Sequence, residues 1–199
     1  MRLFVALYPP ADALDHLADA VEQLRLGRAA ADGTNVRLTA RPLWHITLAF
    51  LGEVPADRAP VAGDALREAV TQWSQGAVGR PVLRLAGGGR FGRRRFTILW
   101  VGLAGDVEAL TSLAGVVRRQ LKRHRVSYDR KPFRPHLTFA RPGDRLPEAD
   151  LQADVATLDR YEGPDWTVEA LHVVRSYQGP NPTHESIVTA PLVPDSPSI

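Results

Sequence analysis

Apolar and polar positions along this chain follow two rhythms. Arg2–Tyr8 is a nearly unbroken aliphatic and aromatic run halted by Pro9-Pro10, which predicts a buried strand. From Ala11 to Leu26 apolar residues fall at 14, 17, 18, 21 and 24, the spacing of one face of a helix. Asn35–Thr39 is a short strand candidate, and Trp44–Leu51, preceded by Pro42 and closed by Gly52, predicts a stronger one. Asp57–Trp73 predicts a second helix, with Leu66, Ala69, Val70 and Trp73 on one face and Gly76 and Gly79 beyond its end. Pro81–Ala86 and Phe96–Leu103 predict strands separated by Gly87-Gly88-Gly89-Arg90-Phe91-Gly92. Val107–His124 predicts a third helix with Leu110, Leu113, Val117 and Leu121 inward. A strand over Pro132–Ala140, a short helix over Leu151–Leu158, and closing strands over Thr167–Ser176 and Glu185–Leu192 complete the pattern.

Strands and helices thus alternate twice, with no Pro- or Ser-rich linker between the halves. The expectation is an α+β chain in two lobes, with mostly antiparallel sheets, helices outside and a central cleft. Residues 1–193 would form a single bilobal domain and 194–199 a frayed C-terminal tail.

Two stretches repeat each other: His45-Ile46-Thr47-Leu48 and His136-Leu137-Thr138-Phe139. Side chains two apart on a strand share a face, so each stretch sets an imidazole beside a hydroxyl and sends its apolar partners to the other side. Random placement of the chain's histidines and threonines would give roughly 0.3 His-x-Thr triplets. Two imidazoles converging on one group, each with a hydroxyl to hold an anion, suit phosphate-ester chemistry. A neutral ring takes a proton while a charged ring gives one, and both forms of histidine coexist near neutral pH. The plain structural alternative is two buried strands whose polar residues happen to be His and Thr.

The chain has no cysteine, which excludes a disulfide framework, a thiol nucleophile and a thiolate metal site. No apolar run approaches the roughly 18–20 residues that cross a bilayer, and Met1–Tyr8 is too short for a signal segment. The expectation is a cytoplasmic protein with no membrane partner. Net charge is a mild +3, yet of 25 basic residues only Lys122 and Lys131 are lysine. Arginine offers a planar, permanently charged fork suited to phosphate. The clusters Arg93-Arg94-Arg95 and Arg118-Arg119 through Arg125 could attract a polyanion or be solvated faces. Gly87–Gly89 lack the Gly-Lys-Ser/Thr ending and following helix of a P-loop.

The chain resembles the two-histidine (2H) phosphoesterases, and within them the bacterial RNA 2′,3′-cyclic phosphodiesterases, also called 2′-5′ RNA ligases. Trp44-His45-Ile46-Thr47-Leu48-Ala49-Phe50-Leu51-Gly52-Glu53-Val54 is similar to the family's first motif. Lys131-Pro132-Phe133-Arg134-Pro135-His136-Leu137-Thr138-Phe139-Ala140-Arg141 is similar to the second. Arg2–Ala6, Arg95–Gly102, and Arg175-Ser176 with Gly179-Pro180 resemble its opening, central and closing blocks. One departure stands out: the family usually has an aromatic, often Tyr, where this chain has His184-Glu185-Ser186.

The resemblance implies metal-independent hydrolysis of RNA 2′,3′-cyclic phosphate ends to 2′-phosphate ends, with a possible reverse 2′-5′ ligation. It implies His45 as proton donor and His136 as proton acceptor, a direction that the nearly symmetric motifs leave open by themselves. Thr47 and Thr138 would hold the non-bridging oxygens. Arg134, on the face of His136, and the aromatics Tyr177 and Phe91, placed on loops, are further substrate-binding candidates. Arg141, an odd number of residues from His136, is expected to face away from it in a regular strand. Trp44 and Phe50 are expected in the core, and His16, His124 and His172 as surface or structural residues. No cofactor or metal is implied. The partners would be RNA with a cyclic phosphate end or small cyclic nucleotides, and the protein a monomer. A non-catalytic nucleotide- or RNA-binding module using the same anion pocket is the alternative. A histidine-based metallohydrolase is a third reading, and the absence of an HExxH-like pattern weighs against it.

Overall fold

The computed structural model describes residues 1–76 and 79–192, so the tail expected over 194–199 lies outside the described residues. Strand β1 (Arg2–Leu7) serves two faces, as a strand buried on both sides must. Leu3, Val5 and Leu7 enter the main core, while Phe4 and Ala6 meet Val174 and Tyr8 opposite. The chain continues through helices α1 (Ala11–Gln23) and α2 (Arg25–Ala31), strand β2 (Ile46–Glu53) and helix α3 (Ala59–Ser74). Strands β3 (Val82–Phe91) and β4 (Ile98–Gly105), helix α4 (Val107–Arg123), strand β5 (Leu137–Ala140) and helix α5 (Glu148–Leu158) come next. Strands β6 (Trp166–Thr167), β7 (Ala170–Tyr177) and β8 (Thr183–Pro191) close the fold.

The two lobes are halves of one antiparallel sheet, ordered β6-β3-β4-β5-β2-β1-β7-β8. They meet where β2 pairs with β5 through Ile46 and Leu137. The lobes are not sequence halves: β7 and β8 return to flank β1, so the first and last segments share a lobe. Helices α3 and α4 pack together; α3 buries small residues at 59, 62, 65 and 69, and α4 buries Leu110, Leu113, Val117 and Leu121.

The departures from the predicted elements have local causes. The helix predicted over 11–26 breaks at Leu24, which is extended at φ −67° and ψ 159°. The second piece starts there because the Asp154 carboxylate of α5 accepts the Arg25 N–H at 2.8 Å and the Leu26 N–H at 2.9 Å. A carboxylate from far along the chain thus satisfies donors that a new helix start leaves free. Asn35–Thr39 forms no strand: Leu38 makes an isolated bridge to Ala140, and Arg37 turns into the left-handed region at φ 50°. Strand β5 begins only at Leu137, since Pro132 and Pro135 bring no N–H to a ladder.

The glycine run is not a connection but the middle of β3. Gly87 sits in a bulge at φ 64°, and a Cβ on Gly89 would lie 2.6 Å from the Trp100 ring, so glycine lets that indole lie across the strand. Phe96, expected to open a strand, instead belongs to a 3-10 turn over Arg94–Phe96.

Replacing Asp154 with Ala should destabilise the fold by about 1–3 kcal/mol, because two N–H groups at the start of α2 lose their acceptor. Urea unfolding measures the loss, and hydrogen exchange should accelerate at Arg25 and Leu26 before the rest of the core. An unchanged midpoint would show that the carboxylate does not hold the helix break.

Candidate active site

The β2–β5 junction sets the geometry. Ile46 and Leu137 are fully buried and point into the core, so the residues on either side point the other way. Antiparallel register with Ile46 opposite Leu137 sets His45 across from Thr138 and Thr47 across from His136. All four side chains line one cleft of about 1380 Å³ between the lobes.

Both histidines are held the same way. His45 Nδ1 lies 2.6 Å from the Leu43 carbonyl, and His136 Nδ1 lies 2.6 Å from the Arg134 carbonyl. A carbonyl only accepts, so each Nδ1 carries the proton and donates it two residues back. Each Nε2 is left as the atom free for proton transfer.

Their surroundings differ. The His45 ring stacks on Phe4 at 4.7 Å and meets the His184 ring edge-on at 5.0 Å, with Tyr8 at 6.1 Å. Burial in this cage pushes the His45 imidazole down from 6.5 to about 4, more than the Leu43 hydrogen bond raises it; the nearby His184, His136 and Arg141 add to the lowering. His136 instead meets the Phe91 ring edge-on at 5.0 Å and Trp100 at 6.2 Å.

The remaining candidates divide. Phe91, at the end of β3 rather than on a loop, lines the cleft. Arg134 supplies its carbonyl to His136, and its side chain lines a side groove of about 360 Å³ that shares Thr47, Phe91 and His136 with the cleft. Tyr177 is not among the cleft-lining residues. It lies on β7, donates its hydroxyl to Glu185 at 2.6 Å and carries Arg175 4.4 Å over its ring. Trp44 is in the core as expected, its indole N–H donating to the Thr39 carbonyl at 2.8 Å. Phe50 is not: it is 50% exposed and lines the cleft.

Arg141 also lines the cleft, contrary to the expected parity. Leu99 pairs with Ala140 and Trp100 with Thr138, which leaves Phe139 as an extra residue in β5. One extra residue inverts the alternation beyond it, so Arg141 swings to the histidine side. Arg37, whose carbonyl accepts the Arg141 N–H at 3.0 Å, joins it there. No sequence signal pointed to Arg37. His184 stands in the cleft, and burial lowers its imidazole below the ordinary value. His172 faces Tyr8 at 5.4 Å and is hydrogen-bonded with Ser186 and Thr189. Among the described residues no group of three or more His, Asp or Glu is placed to hold a metal ion.

The model of the 2′-5′ RNA ligase superfamily matches residues 12–180, and the chain belongs to that family. It is 30% identical over 151 residues to an RNA 2′,3′-cyclic phosphodiesterase of Geobacillus stearothermophilus, covering 75% of this chain and 46% of that one. It is 32% identical over 99 residues to the RNA 2′,3′-cyclic phosphodiesterase of Escherichia coli K12, covering 49% of this chain and 50% of that one. The chain thus spans about half the length of these relatives. Among solved structures, TT0787 of Thermus thermophilus superposes with a TM-score of 0.72 at 23% identity, covering 98% of this chain and all of that one. The E. coli LigT complex with 3′-AMP gives 0.64 at 21% identity, covering 96% and 97%. These likenesses establish a shared LigT-like fold. No helix among the described residues is long and apolar enough to cross a membrane.

The cage around His45 has a consequence for stability. A histidine whose pKa is lower folded than unfolded stabilises the fold when neutral, fully above about pH 6.5, and loses that contribution as pH falls toward 4. The loss should approach about 3 kcal/mol, with His172 and His184 acting in the same direction. Urea midpoints at pH 7 and pH 4.5 should differ more for wild type than for His45→Gln. Equal differences would mean that the cage does not hold His45 neutral.

Proposed function

We propose that this protein hydrolyses RNA 2′,3′-cyclic phosphate ends to 2′-phosphate ends by paired-histidine acid–base catalysis, without a metal. The observation that carries the reading is the convergence of two His-x-Thr motifs on one cleft, each Nδ1 tied to a backbone carbonyl and each Nε2 left free. The family membership and the likeness to two RNA 2′,3′-cyclic phosphodiesterases support the substrate class. The LigT fold, seen elsewhere with 3′-AMP and with phosphate, supports a nucleotide-sized ligand. The reading takes residues 1–193 as one bilobal domain that works as a cytoplasmic monomer.

In this mechanism His136 Nε2 takes a proton from water as its oxygen attacks phosphorus. The bond from phosphorus to the ribose 3′ oxygen breaks, and His45 Nε2 gives its proton to that oxygen. The products are a 2′-phosphate and a free 3′-hydroxyl, and solvent returns both rings to their starting states. Thr47 and Thr138 donate hydroxyl hydrogen bonds to the non-bridging oxygens, where charge accumulates. Arg141 and Arg37 add positive charge to the same cleft. Run backward with a 5′-hydroxyl in place of water, the same groups would make a 2′-5′ linkage.

The purified protein, in EDTA, should open the cyclic phosphate of an oligonucleotide end and yield the 2′-phosphate isomer. His45→Ala or His136→Ala should lower kcat by about 10²–10⁴-fold. Thr47→Ala or Thr138→Ala should cost roughly 10- to 150-fold, the range of a hydroxyl contact to charge. Tight nucleotide binding without turnover would favour the binding-module reading, and activity lost in EDTA would favour a metallohydrolase.

The donor role sets a condition on His45, because burial favours its neutral ring. A bound phosphate anion favours the charged ring and raises its pKa. The alkaline limb of kcat, which reports the complex, should therefore lie at higher pH than that of kcat/KM, which reports the free protein. Which ring gives the proton is read from the variants. His45→Ala should flatten the alkaline limb of the residual rate. If it flattens the acid limb instead, His45 is the acceptor and the roles are exchanged.

A further inference from the structure

The turn between β3 and β4 is the part of the molecule whose design the cleft does not explain. Phe91 and Ile98 pair across the base of this hairpin, and both line the cleft. None of residues 92–97 between them lines the cleft, and 92–96 are all exposed. Phe96 is 66% exposed, the most exposed large hydrophobic side chain among the described residues. Arg93, Arg94 and Arg95 beside it are all exposed, and among the described residues none forms an ion pair. The Arg95 guanidinium lies 4.8 Å over one face of the Phe96 ring.

The turn is built to hold this display. Gly92 is at φ 70°, and a Cβ there would meet the Phe96 carbonyl oxygen at 2.3 Å, so the chain closes as only glycine permits. Arg94 is held in the left-handed region at φ 53°. Thr97, buried beneath it, donates both its N–H, at 2.9 Å, and its hydroxyl, at 2.7 Å, to the Arg94 carbonyl. A loop with no role would have little cause to spend its one buried hydroxyl on an arginine-bearing, left-handed turn.

We propose that the β3–β4 turn is a docking platform for the single-stranded RNA that runs 5′ from the reacting phosphate, with a base stacked on the Phe96 ring and backbone phosphates on Arg93, Arg94 and Arg95. The inference rests on the hydrolysis proposed above for its direction, since the reacting end sits in the cleft and the remaining strand must leave past its rim. An exposed aromatic ring among unpaired arginines matches the two features that hold single strands without reading sequence, stacking and phosphate attraction. Arg95, already over one face of Phe96, completes a sandwich when a base covers the other. Double-stranded RNA, whose bases are already stacked, offers no face to the ring.

The test uses a 5′-fluorescein 12-nucleotide single-stranded RNA ending in an ordinary 3′-hydroxyl, with binding read by fluorescence anisotropy so that no turnover is needed. Phe96→Ala should weaken binding about tenfold and Phe96→Trp should restore it. Arg93→Gln combined with Arg95→Gln should weaken it and reduce the dependence of log Kd on log salt by about 0.7 for each arginine removed. A second readout is the ratio of kcat/KM on a cyclic-ended 12-mer to that on a cyclic mononucleotide, which should fall about tenfold in the same variants. Equal affinities in wild type, Phe96→Ala and the double variant would overturn the platform. So would competition by poly-glutamate as strong as that by RNA together with no effect of Phe96→Ala, which would reduce the turn to a charge patch. If wild type cuts neither cyclic substrate yet the variants lose RNA binding, the platform stands and the proposed hydrolysis falls.

Discussion

Where β2 meets β5, the backbone pair Ile46–Leu137 joins the two halves of the sheet, and the chemistry available to the cleft depends on that register. Both side chains are wholly buried, anchoring the junction from the core side. A slip of one residue on either strand would carry its imidazole and hydroxyl into the core and its aliphatic neighbours into the cleft. Helices α3 and α4, the return of β7 and β8 beside β1, and the burial of β1 on both faces all brace this junction. The extra residue at Phe139, just beyond it, turns Arg141 toward the histidines.

The near-symmetry of the two motifs ends at the first layer around the rings. Both histidines use the same tether to a carbonyl two residues back, which fixes the tautomer and aims Nε2 outward. Phe4, Tyr8 and His184 then surround His45, whereas His136 meets Phe91 and Trp100. Two like groups are thus given unlike surroundings, and the enclosure of His45 lowers its proton affinity. His184 matters here through its contact with His45. An imidazole at this position adds a polar ring edge to the cage and, by proximity, disfavours a second positive charge.

The cleft and the β3–β4 turn divide the work of recognition between enclosed and exposed chemistry. In the cleft, burial lowers the proton affinity of His45 and would strengthen each hydrogen bond to the phosphate of the proposed substrate. At the turn, Phe96 and its arginines remain in water, where stacking and long-range attraction act. Phe91 and Ile98 belong to both regions, so any strand held at one is aligned on the other.

Much of this was legible in the residues themselves. An unbroken apolar run marks β1 because both its faces are buried, and a period of 3.6 marks α3 and α4 because each buries one face. The two His-x-Thr stretches mark the candidate site, because alternation on a strand ties imidazole to hydroxyl without help from the rest of the chain. Other features depend on partners far away in sequence. Leu24 breaks a continuous helical pattern because Asp154, 129 residues beyond Arg25, caps the start of α2. Arg141 faces the cleft because of a bulge opposite β4, and Phe50 lies open because the cleft, not a helix, covers its side of β2. The low proton affinity of His45 arises from three rings brought together by β1, the turn after it and β8. Sequence by itself determined which residues share a face; only the tertiary structure decided what that face meets, since burial and charge state depend on the neighbours that folding supplies.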